Sequence, residues 1–305
     1  MSELPLISII ILNYNSTKVT CEFLESTKKL TYPNYEILVI DNASTIDPTE
    51  EIESQNFPFT KLIVNDTNLG FAGGNNMGIK MALGSYVFVV NNDTEVTPNL
   101  LEILIEPFFH DSKIGVVCPK IKYFEKPEII QYAGYQKMNP YTGRAFSIGG
   151  YEKDIGQYDK PVFTNSAHGA AMLVKKEILK DVGLFPDFFF LYYEEMDLSR
   201  RILNGGYKIL YEAKGVIYHK ESMSVGKESP LKAYYHTRNR IAYMRRHTNR
   251  FQLIVFIFYL FFCVMPKSCL KYSLNGQLKH LSAFLKGVLW HLKISNKRIN
   301  IQTII

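Results

Sequence analysis

Short apolar runs alternate with more polar, helix-like stretches through the first ninety residues. Residues 6–12 (LISIIIL) form a β-branched run ending at Asn13-Tyr14-Asn15. This is the pattern of a strand buried on both faces, and a helix is expected after it to about residue 30. Tyr32-Pro33-Asn34 interrupts, and 36–40 (EILVI) predict a second strand ending at Asp41-Asn42. Residues 61–64 predict a third, followed by a glycine-rich loop over 68–78 (NLGFAGGNNMG) and a short helix to about 83. Residues 85–90 (SYVFVV) predict a fourth strand, closing at Asn91-Asn92-Asp93. The alternation implies an α/β class with an open, mostly parallel central sheet flanked by helices. Ligands of such sheets sit beyond the carboxyl ends of the strands, where three of these runs turn polar.

Residues 100–165, rich in Tyr, Gly and Pro, read as irregular strands and a mobile loop that would hold an acceptor. A strand is expected over 168–174, a helix over 175–182 stopped by Gly183, and a helix over 194–204 with acids first and bases last, as the helix dipole favours. Gly205-Gly206 ends that helix, and 207–218 are strand-like up to His219. The expected organisation is a body over 1–226, with a nucleotide-binding half to about 95 and an acceptor half over 96–226, followed by a helical tail over 227–305.

Charge separates these parts. From Lys227 onward 14 lysines and arginines face a single acid, Glu228, giving +13, whereas the preceding 226 residues carry 21 bases and 28 acids, giving −7. A basic tail on an acidic body points to an anionic partner. Residues 253–265 (LIVFIFYLFFCVM) are continuously apolar, about 20 Å as a helix against the ~30 Å of a bilayer core. Leu278, Leu281, Leu285, Val288, Leu289 and Leu292 then share a helical face flanked by Lys279, Lys286 and Lys293. Such a pattern suits a membrane surface and is superfluous for nucleic acid, which is not expected as a partner. The alternative is a helical pair packed on the body or on a second copy of the chain. At 47% hydrophobic the chain is not disordered. Cys21, Cys118, Cys263 and Cys269 form no C-x-x-C pair, which argues against zinc or disulfides and fits a reducing cytoplasm. The N-terminus lacks the basic start of a signal peptide.

Several residues offer chemistry. Asp41, at a strand end, suits a ribose hydroxyl or a base N–H, or simply a turn or helix cap. The glycines and Asn75-Asn76 of 68–78 permit close approach and bidirectional hydrogen bonding. Asp93 suits Mg2+ or Mn2+ shared with phosphate oxygens, or a turn. Glu194-Glu195-x-Asp197 follows an aromatic wall (FFFLYY, 188–193). An acid against aromatics gains a raised pKa, fitting a general base, while Asp197 fits a first-turn acid. His219 is a metal ligand or a surface histidine.

In order, SIIILNYN (8–15), VIDNAST (39–45), NLGFAGGNNMGI (68–79), VNND (90–93), GAAMLVKKEIL (169–179), the block over 183–219 and YYHTRNRIAYMRRH (234–247) resemble glycosyltransferase family 2, in its rhamnosyltransferase-like branch. The resemblance implies the GT-A type of nucleotide-diphospho-sugar transferase fold, a divalent metal (Mg2+ or Mn2+) and inversion at the sugar. It places Tyr14 and Asp41 on the nucleotide, Asn76 in the donor pocket, Asp93 and His219 on the metal, and Glu195 as the base. Asn91 stands where many members carry the first Asp of a D-x-D motif, and Glu195 where most carry Asp. The implied partners are a nucleotide-diphosphate sugar (dTDP-rhamnose or a UDP-sugar), a saccharide acceptor, lipid-linked, and the inner face of the cell membrane, with oligomerisation through the tail left open. The alternative function is a non-catalytic scaffold of a membrane polysaccharide complex.

Overall fold

A computed structural model describes residues 4–220, 229–294 and 299; the body–tail boundary expected at 226/227 lies outside the described residues. Among the described residues, ten strands form one mixed sheet: β1 (Ile7–Asn13), β2 (Tyr35–Asp41), β3 (Thr60–Val64), β4 (Tyr86–Val90), β5 (Thr94–Val96), β6 (Ile114–Tyr123), β7 (Lys126–Tyr132), β8 (Val162–Phe163), β9 (Ala171–Lys175) and β10 (Lys208–His219). The order is β3-β2-β1-β4-β9-β6-β10-β5, with β7 on β6 and β8 on β10. β1, β2, β3 and β4 pair in parallel; β9 inverts between β4 and β6, and β10 is again parallel to β6. The carboxyl ends of β1, β2, β4 and β10 therefore share one edge. β1, β2 and β4 read as continuous apolar runs because both faces are covered: Ile7, Ile9, Ile10 and Ile11 are buried, as is all of β4.

The helices are α1 (Thr17–Thr27), α2 (Thr49–Ser54), α3 (Gly70–Met81), α4 (Leu100–His110), α5 (Ile178–Val182), α6 (Glu194–Asn204), α7 (Pro230–His247), α8 (Arg250–Tyr259), α9 (Met265–Leu274) and α10 (Leu278–Lys293). Two expectations are corrected here. The glycine-rich segment is not a loop but the helix α3. Gly70, Gly74 and Gly78 recur every four residues, so they share one face, which Gly74 and Gly78 lay against the sheet. A Cβ at Gly78 would sit 2.5 Å from Ile10, and one at Gly74 would sit 2.9 Å from Leu12. Tertiary packing thus overrides the poor helix propensity of glycine. The 100–165 region is also more regular than expected: α4 buries Leu100, Leu101, Leu104, Ile105 and Phe108 despite Pro107, and β6 and β7 follow.

The tail packs on the body. α7, capped by Ser229 and opened by Pro230, buries Arg238, Asn239, Ile241, Ala242, Tyr243 and Met244. A capping box of Asn249 and Gln252 starts α8, which runs through a π-helical turn (Leu260–Val264) into α9. Arg250–Leu274 is thus one continuous 25-residue helix, not a stretch of thirteen, and at about 37 Å it is long and apolar enough to cross a membrane. Only Phe256 and Leu260 are buried along it, whereas Phe251, Ile254, Phe258, Phe261 and Phe262 are exposed.

Candidate active site

A cavity of about 860 Å³ opens at the carboxyl edge of the sheet. Tyr14, Asp93, Glu195 and His219 all line it, although they come from four separated segments. Register explains the meeting of Asp93 and His219. β5 pairs antiparallel with β10 so that Thr94 faces His219, which puts the preceding Asp93 beside the imidazole. His219 Nε2 lies 3.1 Å from Asp93 Oδ1, and Nδ1 lies 2.7 Å from Gln131 Oε1. Gln131 Oε1 accepts a hydrogen bond from Nδ1–H, which fixes the ring and turns Nε2 toward the carboxylate, the orienting contact typical of metal-bound histidines.

Among the described residues no group of three or more His, Cys, Asp or Glu could hold a metal. The donor set nevertheless fits an ion such as Mg2+ or Mn2+, which takes one or two protein ligands and completes its sphere with substrate phosphates and water. Asp93 Oδ1 and His219 Nε2 are two adjacent donors of that kind on the cavity wall.

Asp41 and Asn76 stand behind the wall. Asp41 is buried, accepting from Asn13 Nδ2 (2.8 Å), Ser44 N (2.9 Å) and Ser44 Oγ (2.6 Å); its neighbour Asn42 lines the cavity instead. Asn76, expected in the donor pocket, is instead spent on the opposite side of α3. Its Nδ2 donates to Phe185 O (2.7 Å) and Asp187 Oδ1 (2.6 Å), and its Oδ1 accepts from Phe185 N (3.1 Å).

Glu194 and Glu195 open α6. Burial pushes the Glu195 carboxyl up to about 7, against the backbone amides of the helix start, which lower it. Burial, and then the charge of Glu195, push Glu194 well above the usual carboxylate range, and among the described residues its Oε2 has no hydrogen-bond partner. A carboxyl titrating near neutrality can accept a proton and release it again at working pH. Beside it, burial pushes His168 down to about 3, with a smaller contribution from His219, so it is a neutral ring, stacked on Tyr135.

The segment before α6 is strained. Phe190, Tyr192 and Tyr193 adopt φ of 63°, 70° and 76°, each costing roughly 1–3 kcal/mol for a non-glycine residue. Phe190 O accepts from Phe71 N at 2.6 Å. Gly70, itself at φ +69°, is required there, because a Cβ would lie 2.4 Å from Phe190 O. The glycine helix and the glutamate pair are therefore locked together.

Sequence reasoning missed two sets of residues. Asp197 is no ordinary first-turn acid: it is fully buried and pairs with Arg201 (2.7 Å), Arg246 (2.6 Å) and His247 (2.7 Å). Burial alone would raise its pKa, but the His247 hydrogen bond and the charges of Arg201, His247 and Arg246 outweigh it and hold the group at about 2. The tail also reaches the site. Lys232 and His236 of α7 line the cavity with Arg144 and Phe146, His236 stacks on Tyr192 at 4.2 Å, and Arg240 donates to Thr142 O through Nε (2.9 Å) and Nη2. The excess of bases in 227–305 is the visible signal, which points to an anionic partner without locating it at this cavity.

A mixed sheet of this order, flanked by helices and with a cavity at its carboxyl edge, is the architecture of the GT-A-type fold. Residues 8–183 match the model of glycosyl transferase family 2, and the chain belongs to that family. It is 28% identical over 228 residues to a poly-β-1,6-N-acetyl-D-glucosamine synthase of Staphylococcus epidermidis, covering 72% of this chain and 51% of that one. It is 24% identical over 227 residues to the N-acetylglucosaminyl-diphospho-decaprenol L-rhamnosyltransferase of Mycobacterium tuberculosis, covering 68% and 73%. The chain thus spans about half the length of the synthase. Among solved structures it is similar to GalNAc-T7 with UDP, GalNAc and Mn2+ (TM-score 0.61, 18% identity, 75% of this chain and 46% of that one). It is also similar to residues 1–349 of Staphylococcus aureus TarS with UDP-GlcNAc (TM-score 0.58, 20% identity, 93% and 80%).

Proposed function

We propose that the protein is an inverting, metal-dependent glycosyltransferase that moves a sugar from a nucleotide-diphosphate donor to a saccharide acceptor in cell-surface polysaccharide assembly. The observation that carries this is the convergence of the Asp93–His219 pair and of Glu195, raised to about 7, on one cavity. Asp93 and His219 would hold Mg2+ or Mn2+, which supplies charge neutralisation for the departing diphosphate. Tyr14, 43% exposed at the rim, lies against the nucleotide base. Asp41 orders the loops beneath the nucleotide through Asn13 and Ser44. Glu195, as carboxylate, takes the proton of the acceptor hydroxyl while the new C–O bond forms and the bond to the diphosphate oxygen breaks. One base and a single in-line displacement give inversion.

The names of the matched relatives support a rhamnosyl or N-acetylglucosaminyl donor; its nucleotide, dTDP or UDP, follows from the family resemblance. A lipid-linked acceptor at the inner face of the membrane is supported by the exposed aromatic face of 250–274 and by the run of bases with no acid after Glu228. The deciding experiment is a thermal-shift screen of nucleotide sugars with and without Mn2+, followed by turnover assays on each stabilising donor; no stabilisation and no transfer or hydrolysis with any of them overturns the proposal. Release of the protein from membranes at high pH, without detergent, is expected of surface contact, and retention would mean that Arg250–Leu274 spans.

A further inference from the structure

The segment 234–247 (YYHTRNRIAYMRRH) carries an arginine and an asparagine that bond to each other and reach out of α7 to backbone carbonyls of the body. Asn239 is completely buried. Its Nδ2 faces three backbone carbonyls, of Phe189 (2.9 Å), Leu191 (2.7 Å) and Tyr192 (2.7 Å). Arg238 Nη2 donates to Phe188 O (2.5 Å) and Phe189 O (2.6 Å), while its Nε donates to Asn239 Oδ1 (2.8 Å) and so fixes the amide's orientation. The guanidinium is held in turn over the rings of Tyr235 and Trp290. The backbone acceptors all lie within 188–192, in the segment whose left-handed residues Phe190, Tyr192 and Tyr193 lead Glu194 and Glu195 to the cavity. Packing of α7 on the body would need only apolar side chains; an amide directed at three carbonyls of a strained loop answers a different requirement. A strained backbone persists only where its surroundings over-determine it, and these contacts supply the determination from 47 to 50 residues downstream.

We infer that Arg238 and Asn239 are positioning residues for Glu195, holding 188–193 in the conformation that aims its carboxyl at the acceptor. This inference rests on the reading of Glu195 as the base. The test uses the full chain in detergent, carrying Asn239→Ala, Arg238→Gln or Arg238→Lys. Amide exchange of residues 190–196 is expected to quicken at least about tenfold in Asn239→Ala, with β1 and β4 unchanged. Turnover of UDP-N-acetylglucosamine, UDP-glucose or dTDP-rhamnose should lose about 10–100-fold in kcat, the scale of a small misplacement. The affinity for UDP with Mn2+ should stay within about twofold, since that wall is built by the sheet. Arg238→Lys should recover much of what Arg238→Gln loses, and this pair carries the same test if Asn239→Ala does not fold. Unchanged exchange at 190–196, or kcat and UDP affinity falling together, overturns the inference. Turnover surviving in Glu195→Gln would instead overturn the base assignment itself. An inactive Glu195→Gln beside a fully active Asn239→Ala would sink the positioning role alone.

Discussion

The two walls of the cavity are made by different means. The Asp93–His219 wall is a product of the sheet: unstrained strands end together, and antiparallel register sets Asp93 against His219 with Gln131 behind. The glutamate wall has no regular element to lean on until α6 begins. Three left-handed residues lead into it, and its shape is imposed by Gly70 and Phe71 from one side and by α7 from the other. Precision can come from regular hydrogen-bonding or from clamps. The clamped wall is the one exposed to damage from mutations far away in sequence.

The sharpest way to break this contrast is at the two chemical groups. Glu195→Gln is expected to lower kcat by about 10³-fold while UDP–Mn2+ binding measured by calorimetry is retained; Asp93→Asn should do the reverse, weakening Mn2+-dependent UDP binding by about 10–100-fold. Next comes the buried anchor between α6 and α7. Asp197→Asn leaves Arg201, Arg246 and His247 without their counter-charge and should cost about 3–5 kcal/mol in denaturant unfolding. Because its pKa is depressed to about 2, the stabilisation from Asp197 is present above the ordinary value near 4 and is lost as pH falls toward 2. The pH–rate profile gives a gentler effect: with Glu195 near 7, kcat should rise through neutrality and level off above about pH 8. Smallest is Arg240→Ala, which frees the turn at Thr142 and should raise the acceptor KM about threefold to tenfold with kcat nearly unchanged, measured by varying acceptor at saturating donor.

How much of this was legible in the sequence follows the same divide. The strands, their polar ends, Asp93 and His219 could be read because a buried strand and its termination leave a local pattern. Helix α6 was also readable, since its acids and bases follow the dipole. Asn76 was misplaced because its segment was taken for a loop; the four-residue spacing of Gly70, Gly74 and Gly78 carries the helical signal, and once α3 forms, Asn76 points to Phe185 and Asp187. Asp41 ends its strand as expected but stands behind the cavity wall, its oxygens engaged by Asn13 and Ser44, which no spacing rule reveals. Asn239 and the pairing of Asp197 with Arg246 and His247 were invisible for a deeper reason. Their partners lie about fifty residues away, and hydrogen bonds to backbone carbonyls leave no complementary residue type to find.

The bond from Arg240 to the turn at Thr142 has a practical corollary. That guanidinium rests on the rings of Phe256 and Tyr259, which belong to the greasy helix a biochemist would first discard to obtain well-behaved material. A shortened version ending near residue 249 would keep every group proposed for the chemistry yet lose the prop beneath the loop that carries Arg144 and Phe146. Its Michaelis constants would describe a slackened enzyme, and preparations embedded in detergent or nanodiscs are the ones whose kinetics will reflect the intact machine.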